Sequence, residues 1–374
     1  MGQMARLTTT NKQQGDRMIS YDVTGFGEPL VRSERPTPVP TGDQVLVRIE
    51  AAGVCHSDLH IWHGEYDLGN GKKLSMADRG MKLPLTLGHE IAGEVVAMGP
   101  DAKGVEIGKR YVVFPWHGCG ECKVCKRGDE NLCLAGKSMG VYQNGGYADH
   151  VLVNHAYYLV DIGDMPAERA APYACSGLTT YSAIKKIDPQ VFKDEKIVLF
   201  GAGGLGLMAI LLMKAMGGAG VVVIEPDASK HAAAMNAGAD VVIDPKSPDF
   251  IAQVKQAAGG AVWAIIDCVG SSQTVQHGID MLTKGGHLVQ IGLFGGHVDL
   301  PTPTHAIRAI TYQGTYVGNL GDLRELIALV RDKNLSPVPT TCMHFSKAFS
   351  ALVALEQGKA VGRLMLTPHE EAVA

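Results

Sequence analysis

The sequence predicts a two-part α/β protein, an all-β region followed by a doubly wound parallel sheet. Three observations carry that expectation. From about residue 20 to 160, short alternating or β-branched runs are broken by Gly and Pro. Beyond residue 195, short apolar runs alternate with helical stretches, and the first of them enters the glycine turn "FGAGGLG". The chain has 374 residues, 46% hydrophobic and 19% charged. That is too long for one ordinary core and fits a soluble globular composition.

The elements follow in order. The opening "MGQMARLTTTNKQQGDRM" has no apolar signal core, and Arg6 stands where a myristoylation signal needs Ser or Thr. It reads as a loose polar tail, with order beginning near Met18. "QVLVRIEAAGV", "IAGEVVAMG", "RYVVF" and "ADHVLVN" read as strands, and "ERAAPYACSGLTTYSAI" as a helix. "EKIVLFGAGGLGLMAILLMKAMG" is a buried strand, a turn and a helix, and "GVVVIEPDASKHAAAMNAG" repeats strand then helix. "ADVVIDP", "AVWAIIDCVG", "GHLVQIG" and "ITYQGTY" supply further short strands, which right-handed crossovers would join in parallel. A helix at "LRELIALVRD" and a returning strand at "GRLMLTP" end the chain.

Composition excludes several partners. The formal net charge is −4 and no Lys/Arg tract occurs, so nucleic acid and anionic membrane are not expected. No apolar run reaches spanning length. Eight cysteines, at 55, 119, 122, 125, 133, 175, 268 and 342, accompany no secretory signal. In a reducing cytoplasm, clustered cysteines serve metals or catalysis rather than disulfides.

"CGECKVCKRGDENLC" places Cys119, Cys122, Cys125 and Cys133 in one short loop. Four thiolates so close can surround a Zn²⁺ ion with no open position, a structural site. An iron–sulfur cluster is the competing reading. Zinc is favoured because Leu134, not the proline common after a cluster cysteine, follows Cys133. In "FGAGGLG", Gly201, Gly203 and Gly206 form G-x-G-x-x-G at a strand-to-helix turn, with Gly204 and Leu205 opening the helix. The first glycine permits the turn, the second admits a pyrophosphate to the backbone, and the third lets helix pack on strand. Glu225 ends the next strand, 19 residues after Gly206. Its carboxylate suits an adenosine ribose and would repel a 2′-phosphate, so NAD is expected over NADP.

The stretch "GVCHSDLH" crowds Cys55, His56, Ser57, Asp58 and His60 together. Downstream stand His89 and Glu90 in "LGHEIAG", and Cys175 in "APYACSG". Two thiolates and an imidazole would leave a fourth zinc position free for water or substrate. Spacing alone does not join them: His89 could be a hydrogen-bonded core histidine, and Cys175 a small buried hydrophobe.

"VCHSDLH", "LGHEIAGEVV", the four-cysteine loop, "APYACSGLTTY", "GAGGLG", "GTYVGN" and "VGRLML" occur in one order over nearly everything after residue 20. In these the chain resembles the zinc-containing alcohol dehydrogenases of the medium-chain dehydrogenase/reductase superfamily. Cys175 resembles the alcohol rather than the polyol branch, where a glutamate often stands. The resemblance implies a partly open, GroES-like β-barrel catalytic domain over 1–173 and 320–374, with a Rossmann domain over 174–319 between. It implies two zinc ions per chain, a catalytic one on Cys55, His89 and Cys175 and a structural one on the four-cysteine loop. Ser57 and His60 match the proton relay, Asp58 and Glu90 match carboxylates beside the zinc, Arg363 matches a pyrophosphate contact, and Thr179 matches a residue beside the nicotinamide. His56 stands where some members carry a pyrophosphate-binding arginine.

The activity implied is NAD-dependent interconversion of a primary or secondary alcohol with its aldehyde or ketone. A polyol dehydrogenase or carbonyl reductase on the same scaffold is the alternative. A cytoplasmic homodimer or homotetramer is expected. Trp62 and Trp116 flank the zinc segments and are expected to line an apolar substrate pocket, whereas Trp263 reads as core. Residues 66–82, longer than in compact members, read as a surface insertion rather than a border of the substrate entrance.

Overall fold

The computed structural model describes residues 17–368. The predicted polar tail therefore lies outside the described residues, except for Arg17, which opens the first strand.

The β-rich part is organised around the strand Val45–Val54, which is buried along almost its whole length. On one side it pairs antiparallel with Glu90–Met98, with two register shifts. On the other it pairs with His150–Val153 at its start and with Arg363–Thr367 at its end. The sheet continues outward to Arg110–Val113 and Leu159–Asp161 on the first side, and to Thr340–His344 on the second. Strands from both ends of the chain thus share one sheet. Arg17–Val23, Val31–Pro36 and Leu85–Thr86 form a smaller sheet.

The second sheet is wholly parallel. Its spatial order is Val241–Ile243, Val221–Ile224, Ile197–Phe200, Val262–Asp267, Leu282–Gln290 and Thr311–Gly314. The β-branched runs explain it: parallel strands covered on both faces read as continuous apolar stretches. Alternate residues serve opposite faces. Leu199, Val223 and Ile266 enter one core, while Val198, Val222 and Ile265 enter the other. The first of these cores is continuous with the barrel, since Leu178 and Ile184 join Ile197 and Leu207 to Phe114 and Met365. Chain order reverses between Ile197–Phe200 and Val262–Asp267, which opens a crevice at the carboxyl ends of those strands.

One expected element is broken. "ERAAPYACSGLTTYSAI" forms the helix Ala167–Ala170, a 3₁₀ turn Ala171–Ala174 and the helix Ser176–Ile184. Pro172 has no N–H to continue an α-helix, and Cys175, at φ −130° and ψ −74°, leaves helical geometry altogether. The break puts the Cys175 thiol at the head of the second helix.

Gly201 has φ +90°, a conformation that only glycine adopts at little cost. A Cβ on Gly206 would overlap the Gly201 carbonyl oxygen, and backbone cannot move aside as a side chain can. Gly206→Ala should therefore lose about 1–3 kcal/mol by overpacking. Thermal denaturation should show a clear drop in Tm; an unchanged Tm would mean that the turn is slacker than its geometry.

Candidate active site

Cys55 directly follows the central strand and caps the helix His56–His63; His89 immediately precedes Glu90–Met98; Cys175 occupies the helix break. Three segments distant in sequence thereby converge. The ligand atoms of Cys55, His89 and Cys175 lie within 4.8 Å of one another, and all three residues are buried. The two sulfurs are 4.0 Å apart.

One carboxylate organises this centre. Asp58 Oδ2 accepts from the Cys55 N–H at 2.9 Å and from the Tyr147 hydroxyl at 3.0 Å. Asp58 Oδ1 lies 3.0 Å from His89 Nδ1. The ion pair with Asp58 occupies the Nδ1 side of the ring and leaves Nε2 as the nitrogen free to ligate; both ring nitrogens are buried without a hydrogen-bond partner among the described residues. Burial opposes protonation of His89, but Asp58 and Cys55 outweigh it and hold its pKa well above the usual value. The Cys55 thiol is pulled down, chiefly by the hydrogen bond from Cys175 and then by His89. Two thiols and an orphaned imidazole nitrogen, buried together, form a donor set that suits one soft-to-borderline divalent ion with an open position.

Glu90 is buried beside this set, accepting from the Ser176 N–H at 3.3 Å and pairing with Arg363. Burial raises its pKa to about 7, against the pull of Arg363. Arg363 is itself buried, and its side chain packs where a Cβ on Gly204 would stand. It therefore links the buried carboxylate to the glycine turn.

In the four-cysteine lobe, the Cys122 sulfur lies 3.4 Å from that of Cys125 and 3.8 Å from that of Cys133, and the sulfurs of Cys119 and Cys125 are 3.9 Å apart. A tetrahedron with bonds of about 2.3 Å spaces its corners roughly 3.8 Å apart. The spacing fits one ion and is too tight for a cluster that must fit between the sulfurs. Backbone N–H groups of Glu121 and Cys122 draw the Cys119 thiol down to about 6.

A single cleft of about 1990 Å³ runs from the buried triad to the parallel sheet. It is lined by Cys55, His56, Ser57, His60, His89, Trp116, Cys175 and Thr179 on one side, and by Gly201, Gly203, Gly204, Leu205, Gly206 and Glu225 on the other, with Arg363 between. A Cβ at Gly203 would meet nothing within 4 Å, so the backbone there is open to a ligand at the N-terminus of the helix Gly204–Ala215. Glu225, only 5% exposed, accepts from the Ala202 and Asp227 N–H groups at 2.7 and 2.9 Å. Thr179 donates its hydroxyl to the Cys175 carbonyl at 2.7 Å.

His60 stacks on Tyr66, with ring centroids 4.6 Å apart, and lies 5.4 Å from the exposed His56. Burial first, then His56, lower its pKa to about 4. Its Nε2 is buried with no hydrogen-bond partner among the described residues.

Two expectations need correction. Trp62 does not border the cleft: its indole donates to the Glu28 carbonyl, and it packs against Phe349 in the barrel core. On the helix His56–His63 it faces away from Ser57 and His60. The 66–82 segment is not a detached insertion. Glu65–Asp67 and Lys73–Ser75 form a hairpin, and Tyr66, Leu68, Leu74, Met76 and Arg79 line the cleft. Trp116 does border the cleft, its ring 5.4 Å from His89 and edge-on to Tyr316 at 5.7 Å. Sequence reasoning gave no role to Tyr66, Tyr147 and Tyr316; "EYD" between polar turns was one available signal, a short strand carrying an aromatic, and "GTYVGN" around Tyr316 was another.

Comparison with known proteins agrees with this geometry. Residues 41–164 match the alcohol dehydrogenase GroES-like domain, and residues 204–332 match the zinc-binding dehydrogenase domain. An NAD-dependent alcohol dehydrogenase of Sulfurisphaera tokodaii is 38% identical over 94% of this chain and 100% of its own length. One from Saccharolobus solfataricus is 37% identical with the same coverage. The crystal structure of the alcohol dehydrogenase from Aeropyrum pernix superposes with a TM-score of 0.84 at 29% identity, covering 94% of this chain and all of that one. With both domains matched in order and relatives aligned end to end, the chain belongs to the zinc-containing alcohol dehydrogenase family of the medium-chain dehydrogenase/reductase superfamily.

Proposed function

We propose that the protein is an NAD-dependent zinc alcohol dehydrogenase that interconverts a primary or secondary alcohol and its aldehyde or ketone. The observation that carries this reading is the shared cleft: the Cys55–His89–Cys175 set and the Gly201–Gly206 turn open into the same space. When bound there, zinc polarises the alcohol or carbonyl oxygen and NAD(H) accepts or supplies the hydride.

The chain's own residues do the rest. Asp58 holds His89 and Cys55 in place. Ser57 and His60 line the path from the triad outward, and the unpartnered His60 Nε2 is the proton acceptor in the oxidation direction. Trp116, with Tyr66 and Tyr316, gives the substrate end an apolar wall. Gly203 and Gly204 would cradle the pyrophosphate, Thr179 would stand beside the nicotinamide, Glu225 would take the adenosine ribose, and exposed His56 would supply at most a weak contact. Arg363, committed to Glu90, reaches the pyrophosphate from the edge of the turn.

We assign two zinc ions per chain, a catalytic one on the triad and a structural one on Cys119, Cys122, Cys125 and Cys133. We divide the chain into a catalytic domain, 1–173 with 320–374, and a cofactor domain, 174–319; the sharing of one sheet by both chain ends supports this. The gathering of six of the eight cysteines into two metal-ligand sets supports a reducing, cytoplasmic setting. No described helix is long and apolar enough to cross a membrane. The strand Thr311–Gly314, at the edge of the parallel sheet and exposed at each residue, supports a homo-oligomer.

Metal analysis of the purified protein should give two zinc ions per chain; one or fewer with full activity would overturn the assignment. Cys122→Ser should chiefly lower stability, because a structural zinc contributes folding free energy directly, while His89→Ala should abolish turnover and leave cofactor binding intact.

The depressed His60 pKa, about 4 against an ordinary 6.5, keeps the ring neutral at neutral pH but makes it a weak base, which passes a proton onward rather than holding it. His60→Gln should slow alcohol oxidation most at neutral and low pH, by roughly 10²-fold at most for a general base on the path to solvent. The loss should shrink at high pH, where hydroxide takes the proton. The same shift makes the unfolded chain bind the proton first as pH falls. The stability that neutral His60 contributes is complete above about 6.5 and is lost toward about 4. A pH–rate profile unchanged by the substitution would remove His60 from the reaction.

Glu225 should set cofactor choice. Two anions about 4 Å apart near a protein surface repel by ~4 kcal/mol, so NAD should be strongly preferred to NADP. Glu225→Gln removes the charge at nearly constant size. NAD efficiency should fall and NADP efficiency should rise from almost nothing, measured as kcat/KM for both. A wild type that uses both cofactors equally, or a variant with an unshifted ratio, would mean that Glu225 is not at the ribose.

A further inference from the structure

We propose that the four-cysteine lobe positions the wall of the cleft, acting through Asn131 and Asp129. The lobe's 3₁₀ turn Glu130–Leu132 runs directly into Cys133, so the direction of the Asn131 side chain is set by the cysteine cage. Its Nδ2 donates to the Tyr316 carbonyl at 2.8 Å, and Asn319 Nδ2 donates to the Asp129 carboxylate at 3.1 Å. Two bonds from one lobe thus bracket residues 316–319.

What lies between them is strained. Val317 has φ +47°, a region that a β-branched residue occupies only when its surroundings impose it. Val317 is buried, and together with Thr315 and Tyr316 it borders the cleft. Thr315 donates its hydroxyl to the Val317 carbonyl at 3.3 Å, which closes the segment on itself. The neighbouring Tyr316 ring stands edge-on to Trp116, whose ring is 5.4 Å from His89. The chain of contacts therefore runs from the cysteine cage through Asn131 to the wall facing the triad.

A purely structural lobe would not need this arrangement. Asn131 Oδ1 is buried without a hydrogen-bond partner among the described residues, so the amide's tie to this segment runs through its nitrogen. Asn131 and Asp129 are positioning residues: they touch the segment that forms the site and not the reacting atoms.

The kinetic part of the test rests on the dehydrogenase reading; the exchange part does not. Asn131→Ala, Asn131→Asp and Asp129→Ala each remove one tie, whereas Asp129→Asn keeps an acceptor oxygen. For each, zinc content, Tm, kcat and KM with NAD(H), and amide hydrogen exchange in a peptide covering 311–320 are measured. With zinc content unchanged, the first three should exchange faster in that peptide. They should lose about threefold to tenfold in kcat/KM, the worth of one such hydrogen bond, chiefly through KM. Asp129→Asn should stay near wild type. Unchanged exchange and unchanged kcat/KM in both Asn131 variants would overturn the proposal, as would losses that appear only in proportion to lost zinc. A wild type inactive on every alcohol and carbonyl tried would defeat the dehydrogenase reading, while hydrogen exchange would still decide the positioning role.

Discussion

The buried Asp58 carboxylate is the interaction on which the site depends. It has 0% exposure, and a charge so placed persists only when its partners replace water. It has three: the Cys55 N–H, the Tyr147 hydroxyl and His89 Nδ1. Each comes from a different element, so the carboxylate fixes in one stroke the start of the helix His56–His63, the loop before Glu90–Met98, and the approach to His150–Val153. The helix start places Cys55, and the imidazole contact aims His89. Without Asp58, the Cys55 backbone and the His89 ring would each lose the contact that orients them.

The third ligand depends on a different device. Cys175 belongs to a run with strong helical pattern, and a continuous helix would have carried its thiol around with the turn. Pro172 and the non-helical backbone at Cys175 divide the run, and the second helix, Ser176–Ile184, then packs into the core shared by barrel and parallel sheet. The same break that presents the thiol therefore anchors the junction of the two halves. Thr179, one turn further, bonds back to the Cys175 carbonyl and borders the cleft, which brings the ligand set and the cofactor side within one helical turn.

How much of this was legible depended on whether the signal was local. The four-cysteine lobe could be read because its ligands share one loop, and the glycine turn because strand, turn and helix are contiguous. The parallel sheet followed from β-branched runs buried on both faces. The triad could not be joined from spacing, since the contacts that join it are made by the fold. Trp62 illustrates the limit: it is two positions from His60 on a short helix, and two positions turn a side chain to the opposite face. Trp116 lies on no such helix and does reach the cleft. The 66–82 segment misled because Gly, Asn and Lys mark a solvent-facing turn, which the hairpin tip is, while the strands beneath it carry Tyr66 and Leu74 inward.

That hairpin also contributes to the burial of His60. His60 projects from the barrel helix, yet burial dominates its environment, and Tyr66 covers one face of the ring. The Leu293 backbone, from the loop after Leu282–Gln290, lies beside the ring and works in the opposite direction. Phe294 reaches His56 at 5.8 Å from that same loop. At the hairpin tip, a Cβ on Gly69 would meet the backbone of Gly296 and His297 at 2.8 Å. The two halves therefore meet at the hairpin tip as backbone against backbone, and small residues allow the approach. A base buried by contacts from both halves is shielded only while those halves are together. The burial that lowers the His60 pKa is accordingly a property of the assembled cleft and not of the helix that carries it.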